Sequence, residues 1–136
     1  MITPEQIIAT AQSYIGVRWH HQGRNRAGVD CLGLVVCTAL DNGIPAQDRF
    51  GYARQPDGKY LEAELDAQLI RIAEPEPACV LMMRFHTEPQ HVAIMADNGD
   101  IIHAYALVRK VVRHRLDVLW ASRIVACYRF PGVAHV

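Results

Sequence analysis

The chain has 136 residues, 51% of them hydrophobic and 21% charged, and its 14 basic and 14 acidic side chains cancel to a formal net charge of zero. That balance gives no electrostatic case for nucleic acid or an anionic membrane surface, and no run reaches the ~18 apolar residues of a membrane span. The length suits one domain, 1–136, whose core is large enough to fold without disulfides.

The opening residues Thr3-Pro4-Glu5-Gln6 predict a helix start. Thr3 caps, Pro4 suits the first helical position and Gln6 completes a capping box. Ile7, Ile8, Ala11, Tyr14 and Ile15 follow at helical spacing, and Gly16 ends the run. The same N-terminus lacks the basic-then-apolar pattern of a secretory signal, so the expectation is synthesis in the cytoplasm with delivery by other means.

Residues 17–29 read as a loop, and a second helix is expected from Cys31 to about Leu40, with Asp30 as its N-cap and Asp41-Asn42-Gly43 as its stop. A long loop over 44–58 follows from its prolines and glycines, then a third helix over 59–71 from Leu61, Leu65 and Leu69. Beyond Pro75 and Pro77 the pattern changes. Segments 79–85, 92–96, 101–106, 109–114 and 123–130 are short and rich in valine, isoleucine and aromatics, and they read as strands. Helices first and antiparallel strands after argue an α+β fold with roughly five strands.

Of the four cysteines, Cys37, Cys79 and Cys127 sit among apolar neighbours and read as small buried hydrophobes. Cys31 differs because it falls in the first turn of a capped helix. Unpaired N–H groups there favour negative charge, which is expected to lower the thiol pKa and could also hold an oxyanion. Gly33 leaves room beside the thiol for a substrate backbone. A structural cysteine packed under a turn is the alternative.

A nucleophilic thiol needs a base. Among seven histidines, His135 lies near the terminus, His114 reads as solvated within the basic run 109–115, and His86 falls in a turn. His91 opens an apolar strand and His103 lies within one. Between them Asp97-Asn98-Gly99-Asp100 signals a hairpin. A two-residue loop at 98–99 pairs residues whose numbers sum to 197 and puts the two imidazoles on opposite faces. A three-residue loop at 97–99 gives a sum of 196 and puts them on one face, with Gly99 as the left-handed residue. A catalytic pair requires the second register, with His91 as base and His103 orienting it.

The sequence resembles the NlpC-type cell-wall cysteine peptidases, which have a papain-like fold. The resemblance is carried by Ile15-Gly16 through Gly23, by Val29-Asp30-Cys31-Leu32-Gly33-Leu34-Val35, by His91-Val92-Ala93-Ile94-Met95 with Asn98-Gly99, and by Ile101-Ile102-His103-Ala104. It implies a nucleophile, base and orienter at Cys31, His91 and His103, no metal and no other cofactor. It also implies hydrolysis of peptide bonds in the peptidoglycan stem, often between γ-D-glutamate and diaminopimelate. The segment His20-His21-Gln22-Gly23-Arg24 is similar to phage and prophage tail members, which suggests tail proteins as partners and a virion-associated location acting on the cell wall. Two positions depart from the family pattern. Leu32 stands where a substrate-binding serine is usual, and Trp19 stands where a tyrosine is usual. Asp30 could bind a substrate ammonium or only cap its helix. Trp19 could wall the cleft or pack in the core, and His20 or His21 could supply a polar contact. Three other readings stay open: a tail component with a vestigial site, a different thiol-dependent amide or acyl transfer, and a Cys/His metal site, for which spacing places no fourth ligand.

Overall fold

The computed structural model describes residues 1–47, 58–85 and 89–134. Most of the expected 44–58 loop, together with His86 and His135, lies outside them. Helix α1 (Pro4–Ser13) starts as its sequence dictates. The Thr3 hydroxyl accepts from the Gln6 N–H at 3.2 Å, and the Gln6 side chain accepts from the Thr3 N–H at 2.8 Å. It buries Ile7 and Ala11, and Tyr14 closes it.

Residues 17–29 are not wholly irregular. They hold two two-residue strands, β1 (Arg24–Asn25) and β2 (Gly28–Val29), paired antiparallel. Helix α2 (Cys31–Asp41) follows and is apolar around most of its circumference, because it is the central helix. Its buried residues include Leu32, Leu34, Val35, Cys37 and Ala39. Each large aliphatic side chain buried this way is worth about 1.5–3 kcal/mol. Helix α3 (Gly58–Gln68) buries Leu61 and Leu65. It stops short of the expected residue 71, since Ile70–Ile72 leaves the helix as strand β3 and pairs with residues 127–129. The alternation of Ile70, Arg71 and Ile72 suits an edge strand better than a fourth helical turn, so tertiary pairing prevails.

The remaining strands are β4 (Val80–Arg84), β5 (Pro89–Met95), β6 (Asp100–Tyr105), β7 (Lys110–Arg115) and β8 (Ile124–Arg129). Among the described residues these five and β3 form one antiparallel sheet of six strands, in the order β3-β8-β4-β5-β6-β7. The expected α+β architecture holds, with β3 as the additional strand. One face carries Val80, Met82, Val92, Ile94, Ile102 and Tyr128 into the main core with the helices. The opposite face buries Cys79, Leu81, Met83, Ala93, Ile101 and Cys127. A four-residue helix, α4 (Val118–Ala121), is capped by Asp117 and brings Trp120 onto that second face. Four residues are too few to show a helical period in sequence.

The β5–β6 turn has the register on which the site depends. Ile94 pairs with Ile102 and Met95 with Ile101, so partners sum to 196. Residues 97–99 form the loop, closed by the Ala96 N–H donating to the Asp100 carbonyl at 2.8 Å. Asn98 and Gly99 take φ of 57° and 75°, the left-handed region where glycine and asparagine cost least. The Arg113 guanidinium holds the turn from β7, reaching Asp100 at 2.9 Å and Asp97 at 2.8 Å.

Candidate functional site

The two ends of the candidate site come from different layers. Asp30 precedes α2 in extended backbone, and its carboxylate accepts from the Gly33 N–H at 2.7 Å. The same carboxylate accepts from the Gln22 N–H at 2.8 Å and from the Arg24 guanidinium at 3.1 Å. It is therefore a helix cap and an ion-pair partner, met by three donors inside the protein. This pair is well buried, which makes it a rigid tie between the β1–β2 segment and the start of α2.

Gly33 does not leave room for substrate. A Cβ built there would lie 2.1 Å from the Gly23 carbonyl oxygen and 3.0 Å from the Arg24 guanidinium. The space expected beside the thiol is filled by the protein's own backbone, so the glycine is required for close packing. Leu32 is also turned inward. It is 8% exposed and lines a cavity of about 60 Å³ with Val35, Ile44, Tyr60 and Leu65.

Trp19 is half-buried and packs against the main core, while its N–H donates to the Arg109 carbonyl at 2.8 Å. His21 is half-buried and stacks against Trp19 with ring centroids 6.5 Å apart. His20 is exposed; a Cβ built on Gly28 would lie 2.6 Å from its Cβ, and its N–H donates to the Val29 carbonyl at 3.1 Å.

Cys31 is half-buried at the first position of α2. Backbone N–H groups of Val92 and Leu32 are turned toward its sulfur. The first belongs to β5 and is one residue beyond His91, so the thiol meets the sheet beside the His91 backbone position. The β5–β6 ladder pairs Ile94 with Ile102 and Met95 with Ile101, on the turn side of both histidines. Burial pushes the thiol up to about 12, reinforced by the Asp30 carboxylate and opposed by the two N–H groups and Arg24. The helix end does not outweigh desolvation, contrary to the sequence expectation.

His91 and His103 are buried on the same face of the sheet, 4% and 0% exposed. Nε2 of His91 lies 2.6 Å from Nδ1 of His103. Burial lowers His91 to about 3, with the Arg123 guanidinium adding to the effect. Burial likewise lowers His103 to about 2, reinforced by the neighbouring His91 and His114 rings. Both shifts favour neutral imidazoles at rest, as burial favours a neutral thiol at Cys31.

Several neighbours were not legible in advance. His114, expected to be solvated, places Nε2 2.9 Å from Nε2 of His103. Phe85, Tyr105 and Trp120 surround the imidazoles, with Trp120 edge-on to His103 at 5.0 Å and Phe85 5.1 Å from His91. Arg123 lies over Trp120 at 4.4 Å and over Phe85 at 5.3 Å, closing this aromatic wall. Among the described residues no cluster of histidine, cysteine and carboxylate suits a metal ion, and no helix is long and apolar enough to cross a membrane.

The fold is similar to that of the NlpC/p60 domain of the peptidoglycan hydrolase SagA, with a TM-score of 0.66 and 22% identity, over 95% of this chain and 100% of that one. NlpC2 from Trichomonas vaginalis superposes with a TM-score of 0.73 at 14% identity, over 93% of this chain and 46% of that one. The peptidoglycan hydrolase RipB from Mycobacterium tuberculosis gives 0.64 at 18% identity, over 93% of this chain and 63% of that one. The chain thus spans the whole of the SagA domain and less than two thirds of the other two proteins. No curated protein matches by sequence. Residues 16–129, from the end of α1 to the last strand, match the NlpC/P60 family. The chain belongs to the NlpC/P60 family, whose members are cysteine peptidases and peptidoglycan hydrolases.

Proposed function

We propose that this chain hydrolyses peptide bonds of the bacterial peptidoglycan stem through an acyl-enzyme, with Cys31 as nucleophile, His91 as general base and acid, and His103 orienting His91. The observation that carries the reading is that the first-turn thiol of Cys31 meets the backbone N–H of Val92, the residue after His91, while the His91 imidazole is held at 2.6 Å by that of His103.

Because thiol and imidazole are both held neutral at rest, the proton moves as the reaction begins. Sγ of Cys31 attacks the amide carbonyl while His91 takes the thiol proton. The oxyanion that develops is met by first-turn backbone N–H groups of α2. His91 then delivers the proton to the departing amine, leaving a thioester. A water, deprotonated by His91, attacks the thioester and restores the thiol. His103 holds the far nitrogen of His91 throughout and supports the transient positive charge.

The γ-D-glutamyl-diaminopimelate bond is the proposed point of cleavage. Incubation with purified peptidoglycan tests the reading. Wild-type protein should release muropeptide fragments and Cys31→Ala should release none. Equal release by both would end the proposal.

A further inference from the structure

We infer that His114 is a positioning residue: it sets the tautomers of His103 and His91 in turn, and leaves a lone pair on the one nitrogen of His91 that can act as base. The inference extends the proposed function, since it names what prepares that base.

The argument is a count of protons along a chain of contacts. Nδ1 of His114 lies 3.0 Å from the carbonyl oxygen of Arg115. A carbonyl only accepts, so Nδ1 of His114 carries a proton, and in a neutral imidazole with that tautomer the lone pair is at Nε2. That nitrogen faces Nε2 of His103 at 2.9 Å, and two bare nitrogens at this distance would repel. The proton between them therefore belongs to His103, which donates. Neutral His103 then has a bare Nδ1, which faces Nε2 of His91 at 2.6 Å. By the same reasoning Nε2 of His91 donates and Nδ1 of His91 is bare. A backbone carbonyl thus dictates, through three rings, which His91 nitrogen can accept a proton.

The rings have little freedom to choose otherwise. His103 is wholly buried, with Tyr105 stacked on it at 5.1 Å and Trp120 edge-on at 5.0 Å. Trp120 also lies 5.0 Å from the His114 ring. Without an acceptor at His114, His103 is free to hold its proton on Nδ1 and donate toward His91. His91 would then carry its proton on Nδ1, the wrong place for a base.

Long-range proton–nitrogen correlation spectra of protein labelled with 15N-histidine test this directly. Wild type should show Nε2–H tautomers for His91 and His103 and an Nδ1–H tautomer for His114. His91 found as the Nδ1–H tautomer would overturn the inference. His114→Leu, confirmed folded by its spectrum, should mix the His91 tautomers and lower kcat by about tenfold or more with KM within about twofold. His114→Gln, which restores an acceptor at the same reach, should recover most of that loss. Unchanged tautomers and unchanged kcat in folded His114→Leu would also overturn it. If His114→Leu does not fold, the wild-type tautomers decide alone. These signals are independent of any substrate, so expected tautomers in a protein that leaves peptidoglycan intact would count against the proposed function and not against the relay.

Discussion

Acid should weaken this fold through two buried imidazoles as the pH falls below 6.5. His91 is lowered from 6.5 to about 3 and His103 from 6.5 to about 2, with burial the main cause in both. In the unfolded chain both would bind a proton as the pH falls through 6.5, while the folded protein keeps both neutral until far lower. The unfolded state then binds more protons than the native state between pH 6.5 and about 3, so stability declines as the pH falls across that window. Each group contributes up to about 1.4 kcal/mol per pH unit once below 6.5. Between pH 7 and pH 5 this amounts to about 2 kcal/mol for each imidazole and about 4 kcal/mol for the pair. Urea unfolding at the two pH values measures it in wild type and in His91→Gln/His103→Gln. Wild type should lose about 4 kcal/mol more than the double variant between pH 7 and 5, and His103→Gln alone should fall midway. Equal losses in wild type and the double variant would show that the imidazoles are not held neutral, and would refute the reasoning.

Two further substitutions probe how the thiol is mounted. Gly33→Ala forces a methyl to 2.1 Å from the Gly23 carbonyl, so it should destabilise the fold by about 1–3 kcal/mol by urea unfolding and lower the rate of peptidoglycan release; an unaffected protein would mean the β1–β2 segment yields freely. Leu32→Ser should cost about 2–4 kcal/mol, because a buried aliphatic chain beside an existing cavity is removed and a hydroxyl takes its place; a change under about 0.5 kcal/mol would show that Leu32 is not part of the core.

What could be read from the sequence was what is decided locally. The Thr3 capping box, the Asp30 cap and the left-handed Gly99 turn each depend on a few consecutive residues, and each has the expected geometry. The 196 register follows from that turn, and through it the meeting of His91 and His103. What escaped depends on partners far along the chain. Ile70–Ile72 is a strand because residues 127–129 offer an edge. Gly33 looked like an opening because Gly23, ten residues earlier, could not be seen folding back over it. His114 escaped because its register with β6 passes through a single 3₁₀ turn, Ala106–Val108, and a left-handed Arg109. With His103 opposite Val112, His114 lies diagonal to His103 on one face. The same face-counting that joined His91 to His103 would have found it, had the length of that connection been known. The thiol shift was misjudged for a different reason: a helix end is visible in sequence, whereas the depth of protein around the sulfur is not.

The three residues of the 97–99 loop carry a consequence for how this chain can change. Adding or removing one residue there would keep both strands, their hydrogen bonds and the apolar content of the hairpin. It would also turn every side chain of one strand through to the other side of the sheet relative to its neighbour, sending an imidazole among aliphatic groups that cannot hold its proton. Changes of length at this tip conserve chemistry only in even steps, so a single-residue insertion is a compact way to silence the protein while leaving its architecture nearly intact.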